Sequence, residues 1–389
     1  MLKGSPEAVS QYQRWTSQGG KSVTKPCISA DSHITEPPNC YVDYIDPKFK
    51  DIAPKMVRHE TKGDLFVIEG FKKPLGIALA AAAGKSPEEL RAWGATFESL
   101  HRGGWDPKAR IAEQERDGVA AEVIYPTVGM LLCNHSDFDY KKACFDAYNR
   151  WIAEYCSENP QRLIGLGQTT MRSVEEGIKE LREMKEMGLR GVMLTGNPMV
   201  NDYDDPMYDP YWQASIDLDM PLSFHILTSK SDQAGVSTRG PMINSFLSII
   251  RGNQDIIGTF IFGGVFQRNP NLKIICVEAD AGWVPHYMYR MDHAYKRHRQ
   301  WMKCQKLERL PSEYFKDHVY LTFQDDWVAF KEKDLLNYQR LMWANDFPHS
   351  DSTWPWSQEI LAEHTKGLSQ TEKDAILHDN VAELYHIAV

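Results

Sequence analysis

Residues 27–37 read CISADSHITEP, a short apolar run that ends in Asp31, His33 and Glu36. Three groups able to bind a metal or hold a proton lie within six positions. Such a stretch is either a polar turn after a strand or half of a metal site completed far downstream. The repeat that follows it bears on the choice. Short runs rich in Val and Ile alternate with longer amphipathic segments, the pattern of strand and helix units around a parallel sheet. Strands are expected at Cys27–Asp31, Ala121–Thr127, Leu163–Thr169, Gly191–Thr195, Pro221–Ile226, Lys273–Asp280, Val319–Gln324 and Leu341–Asp346.

Eight strands with intervening helices predict an α/β chain closed into a (β/α)₈ TIM barrel. An open doubly wound sheet is disfavoured, because no glycine-rich phosphate loop follows any of the strands. Helices are expected over Tyr140–Glu158 and Val174–Met187, the second stopping where Gly188 suits a helix end. The first connection, residues 34–107, is far longer than a barrel loop needs and carries its own apolar pieces, DLFVIEG and GIALAAAAG. It reads as a cap inserted over the barrel mouth. Residues 1–25 read as a polar arm suited to pairing with another subunit, and residues 26–389 as the barrel. Ser369 and Glu372 have capping-box spacing at the start of a terminal helical region that runs to Ile387.

Composition narrows the partners. With 42% hydrophobic and 25% charged residues the 389-residue chain can bury a large core. A net charge of -9 argues against nucleic acid, and the basic stretch Tyr295–Lys306 reads as a solvated helix face. The seven cysteines are odd in number, lack CxxC spacing and sit in apolar segments, so they read as buried thiols. The N-terminus has no apolar signal core, and the Gly76–Gly84 run is too short to cross a bilayer. A cytoplasmic protein without membrane contact is expected.

In a parallel barrel, catalytic groups gather at the C-terminal ends of the strands. The first strand ends with Asp31 and His33, the fifth carries His225, the sixth carries Glu278 and Asp280, and the eighth ends at Asp346 with His349 behind it. Singly, each has a plain structural use: a bonded core histidine, a helix cap, the start of a turn. Together at one rim, the carboxylates would repel one another unless a cation neutralised them. A histidine and carboxylate set without cysteine suits zinc, manganese or iron, one or two ions per chain.

Three segments carry a resemblance to a known family. DSH at 31–33, GVFQRNPNLKIICVEADAGWVP at 264–285 and WANDFPHSD at 343–351 resemble the amidohydrolase-2 branch of the amidohydrolase superfamily, which includes the relatives of aminocarboxymuconate semialdehyde decarboxylase. The resemblance implies metal ligation by Asp31, His33, His225 and Asp346, with Asp346 also moving a proton. There are departures from the pattern. Asp31 stands where many members have histidine, Glu278 replaces the sixth-strand histidine, and the fourth strand ends in Leu194 and Thr195 without a bridging lysine. A carboxylate at Glu278 can bind a second cation, with Glu36 and His349 near enough in sequence to complete that site. This variation is also similar to the nonheme iron oxygenases built on the same barrel.

The expected activity is hydrolysis or nonoxidative decarboxylation of a small organic carboxylate or acyl compound, with Asp346, Glu278 and His225 as the catalytic groups. A diiron or mixed-metal monooxygenase that hydroxylates an unactivated carbon is the second reading. A noncatalytic metal-binding subunit of a hetero-oligomer is the third. His135, Trp283 and Trp354 are expected near the substrate, and Arg190 and Arg239 serve either a substrate carboxylate or a surface ion pair. The partner is a small molecule, and the chain is expected to form a homo-oligomer, association with a related barrel being the alternative.

Overall fold

The computed structural model describes residues 25–229 and 240–388. The expected arm, apart from Lys25, and Arg239 lie outside the described residues. The barrel strands are β1 (Cys27–His33), β2 (Val119–Tyr125), β3 in two pieces (Leu163–Gly165 and Gly167–Thr169), β4 (Val192–Leu194), β5 (Leu222–His225), β6 (Ile274–Val277), β7 (Val319–Phe323) and β8 (Leu341–Trp343). Neighbours pair in parallel throughout: β1 with β2, β2 with the first piece of β3, the second piece of β3 with β4, and on in order to β8. Their residues are almost all buried, as strands covered on both faces require.

The expected strand Leu163–Thr169 is broken at Leu166, whose N–H turns to the Ile124 carbonyl at 3.2 Å. Glycines flank the break because helices press on the backbone there. A Cβ at Gly165 would meet Cys156 Sγ at 2.8 Å, and one at Gly167 would meet Met184 Sδ at 2.2 Å. The ring closes between β8 and β1 just beyond the end of β8. Asp346 N–H donates to the Asp31 carbonyl at 3.1 Å, and His33 N–H to the Phe347 carbonyl at 2.7 Å.

Helices lie where amphipathic spacing puts them. Phe138–Ser157 starts under an Asp137 cap, and Val174–Glu186 starts under Ser173. Gly188, just past the second, takes a φ of +85°, a conformation that glycine adopts without the Cβ penalty. Ser369 and Glu372 form the expected capping box. The cysteines are free thiols, six buried and Cys304 half-buried. Among the described residues, no helix is long and apolar enough to cross a membrane.

Between β1 and the first barrel helix, Pro107–Asp117, the chain inserts a three-stranded antiparallel sheet of Lys55–His59, Gly63–Val67 and Leu75–Gly76. DLFVIEG supplies most of the central strand, whereas most of the GIALAAAAG run is irregular. That run lies along the loop after β8. Ala83 N–H donates to the Pro348 carbonyl and Ser350 N–H to the Leu79 carbonyl, both at 3.0 Å. The insertion thus covers the rim at the C-terminal end of β8.

Candidate metal centre

Six side chains, from the ends of β1, β5, β6 and β8 and the turns that follow them, converge at that rim. Asp31, His33, His225 and Glu278 each offer a donor atom within 4.8 Å of the others, and His33, Glu278, Asp346 and His349 do the same. His33 Nε2 is the hub, 3.5 Å from Asp31 Oδ1, 3.4 Å from Glu278 Oε2 and 3.5 Å from Asp346 Oδ1. His225 Nε2 lies 3.2 Å from Glu278 Oε2 and 3.7 Å from Asp31 Oδ1.

Backbone carbonyls set the tautomers. His33 Nδ1–H donates to the Pro126 carbonyl at 2.9 Å, and His225 Nδ1–H to the Ile226 carbonyl at 3.1 Å. Since a carbonyl can only accept, Nδ1 is the donor in each ring and Nε2 is the atom turned toward the centre. Burial, reinforced by the nearby His349 and His225, holds His33 well below the ordinary imidazole range, so it stays neutral.

The carboxylates complete a donor set that fits a divalent cation. Both oxygens of Asp31, both of Asp346 and Oε2 of Glu278 are buried without a hydrogen-bond partner. Buried orphan carboxylates are costly, and a cation removes the cost. Burial, then the neighbouring carboxylates, pushes Glu278 and Asp346 well above the usual range in the bare protein. Hard oxygens mixed with imidazole nitrogens, and no thiolate, suit manganese, iron or zinc.

Local backbone aims these groups. Glu278 and Asp346 take φ of +55° and +53°, left-handed values unfavourable for a side chain with a Cβ. Such conformations cost on the order of 1–3 kcal/mol each and persist where surrounding bonds hold them. Here Thr322 Oγ1 accepts from Glu278 N–H at 2.9 Å, and the Asp31 carbonyl accepts from Asp346 N–H.

The amidohydrolase family profile matches residues 99–387, three quarters of the chain, including His225, Glu278 and Asp346. The chain belongs to the amidohydrolase family. A curated relative is the 2-amino-3-carboxymuconate-6-semialdehyde decarboxylase of Dictyostelium discoideum, 29% identical over 306 residues that cover 75% of this chain and 79% of that one. Among solved structures, an amidohydrolase from Mycobacterium avium subsp. paratuberculosis superposes with a TM-score of 0.76 at 19% identity, covering 94% of this chain and all of the other. The 5-carboxyvanillate decarboxylase of Novosphingobium aromaticivorans, solved with manganese, gives 0.64 at 18% identity over 94% and 99% of the two chains. These likenesses place the fold as the amidohydrolase TIM barrel.

Within the amidohydrolase barrel the remaining expected residues divide. His349 joins the centre: its ring stacks on His33 at 3.9 Å, its Nδ1 lies 3.2 Å from Asp346 Oδ1, and its Nε2 meets Thr127 Oγ1 at 2.9 Å. Burial holds this imidazole down to about 4. Glu36 is outside both donor groups. Its Oε1 accepts the N–H groups of Thr127, Val128 and Gly129 at 3.1, 2.8 and 3.2 Å, so it caps the turn after β2 as a loop carboxylate does. Burial still pushes it up to about 6.

His135 ties the insertion to the loop after β2, donating through Nε2 to the Glu69 carbonyl at 2.8 Å. Trp283 bonds the Ala279 carbonyl at 2.7 Å just after β6. Trp354 is buried between Phe347 and the Arg116 guanidinium, under Gly84, and so packs the insertion against the loop after β8. Asp280 is exposed and outside the donor groups. Arg190 bonds the chain carbonyls of Pro160, Tyr385 and His386 on the far side of the barrel from the rim. Sequence reading passed over Thr127, although its place just past β2 was a usable signal.

Proposed function

We propose that this chain is a divalent-metal carboxy-lyase that removes the carboxylate of a small aromatic acid without net oxidation. The observation that carries the reading is the set of buried, unpartnered carboxylate oxygens facing two imidazole lone pairs at the barrel rim. The decarboxylases among the relatives support it. His33, with Asp31 and His225 from one donor group and Asp346 from the other, would hold the metal. A bound divalent cation supplies a Lewis acid that fixes a substrate oxygen and offsets its charge.

The chain's own groups then have separable tasks. The side chains of Asp31, His33, His225 and Asp346 are fully buried, whereas that of Glu278 is 14% exposed. Glu278 therefore faces the open side, where it can pass a proton to the substrate carbon as the bond to the carboxylate breaks. The electron pair of that bond stays on the carbon and takes the proton, carbon dioxide leaves, and no oxidant is consumed. Asp346, beside His349, is the second group placed to hold a proton. Hydrolysis of an acyl bond would use the same groups with water as the attacking species.

Anaerobic incubation of manganese-loaded protein with hydroxylated and methoxylated benzoates, followed by carbon dioxide release, tests the reading. Turnover of amide or ester substrates with no carbon dioxide from any acid would replace it with hydrolysis. The overlap of two four-residue donor groups favours one further reading, a two-iron oxygenase. Two irons per chain with oxygen uptake on turnover would establish that instead.

A further inference from the structure

Arg110, in the helix Pro107–Asp117, is completely buried, and each of its side-chain nitrogens has a partner. Nε donates to Glu122 Oε2, Nη1 to the His33 carbonyl at 2.6 Å and more distantly to the Gly103 carbonyl at 3.5 Å, and Nη2 to the Phe347 carbonyl at 3.2 Å. Its guanidinium also stands over the Phe347 ring at 4.7 Å. One side chain thus holds the carbonyl of His33 and that of Phe347, the residue after Asp346. Glu122 is held in turn. Gln114 donates to its Oε2 at 2.8 Å, and Asn345, the residue before Asp346, donates to its Oε1 at 3.2 Å.

Stability alone does not account for an ion pair in this place. Desolvating two charges costs several kcal/mol per ion, and apolar replacements of buried pairs are often neutral or more stable. What an apolar filler cannot do is donate to two carbonyls at a fixed separation, which a rigid guanidinium fork does. The seam needs that. β8 and β1 share no paired ladder, and the backbone bonds that join them fall at Asp31, His33, Asp346 and Phe347, on or beside the ligands. A slip along this seam would separate Asp346 from Asp31 and His33 directly.

We propose that Arg110, oriented by Glu122, is the positioning residue of the metal centre, clamping the His33 and Phe347 peptides so that donors on the first and last strands face one cation. The proposal rests on the metal-centre reading above. It is tested by titrating manganese into metal-free protein by calorimetry, with the unfolding temperature of the same samples measured alongside. Arg110→Lys keeps the charge and loses the fork. The double variant Arg110→Met with Glu122→Met removes the pair without leaving a lone charge, and so covers the case in which Arg110→Lys does not fold. Glu180→Gln, which breaks a pair with Lys142 away from the seam, is the control.

Both Arg110 variants should bind manganese about 10- to 100-fold more weakly, the range for residues that orient metal ligands. The double variant should do so even where its unfolding temperature matches wild type, and Glu180→Gln should lower that temperature with affinity unchanged. Wild-type affinity in a folded Arg110 variant, or an equal affinity loss in Glu180→Gln, would overturn the assignment alone. Wild-type protein that takes up no manganese, iron or zinc would overturn the metal centre itself, and this role with it.

Discussion

The Nε2 atoms of His33 and His225 lie 3.2 Å apart, each ring having committed its Nδ1 proton to a backbone carbonyl. Two lone pairs at that distance cannot bond each other, and a cation between them turns repulsion into ligation. Chelation followed by dialysis should therefore lower the unfolding temperature without loss of helical circular dichroism, and manganese should restore it. At a hundredfold excess over the dissociation constant the gain is about 2.7 kcal/mol. An unfolding curve indifferent to metal would contradict the site.

Asp346→Asn keeps the shape of a fully buried residue and removes its charge. Turnover should fall by about 100-fold or more, the usual scale for losing a proton-transfer group, with a folded barrel by circular dichroism. Undiminished turnover would strip Asp346 of its role.

Glu278→Gln should separate stability from activity. In metal-free protein Glu278 stands against Asp346 and Asp31, and its neutral isostere relieves that crowding. The metal-free variant should unfold at a higher temperature than metal-free wild type, while turnover falls about 100-fold. Calorimetric scans paired with activity assays check both halves.

His318 offers a pH test remote from the rim. It donates through Nδ1 to the Leu272 carbonyl at 2.7 Å and stacks on Phe266, and burial holds it down to about 4 from 6.5. Between those values the unfolded chain binds more protons, so stability rises with pH across the window and is lost as pH falls from 6.5 to 4. Denaturant titrations of wild type and His318→Gln should show a shallower pH slope in the variant. Equal slopes would mean the ring, which has Lys273, Asp317 and Arg309 as charged neighbours, is not held neutral by the fold.

Trp354→Ala probes the cap. The indole fills the space between Phe347 and Gly84, and truncating a buried Trp costs about 3–5 kcal/mol. Chemical denaturation should show that loss, with proteolysis increasing first within residues 34–107. A loss confined to activity would make Trp354 a substrate contact instead.

Much of this was legible along the chain because hydrophobic periodicity is a local property. The start of CISADSH read as a strand, Cys27–Asp31, because it opens a repeat of short apolar runs and longer amphipathic segments; that the strand runs on to His33 with all seven residues buried was supplied by the fold. Asp31, His33, His225, Glu278 and Asp346 could be named as candidates because a parallel barrel delivers its strand ends to one rim. The break at Leu166 was not legible: it depends on Cys156 and Met184 of two helices pressing on glycine backbone. Glu36 and His349 looked alike as sequence neighbours of ligands. The fold parted them, spending Glu36 on three backbone N–H groups and stacking His349 on His33.

By itself, then, the sequence determined the strand and helix order, the barrel that order implies, and the chemical types available at its rim, all consequences of residue type and spacing. Tertiary structure alone decided which of those groups come within reach of one another. Distances between Asp31 and Asp346, or between Arg110 and the Phe347 carbonyl, exist only once the last strand has closed against the first.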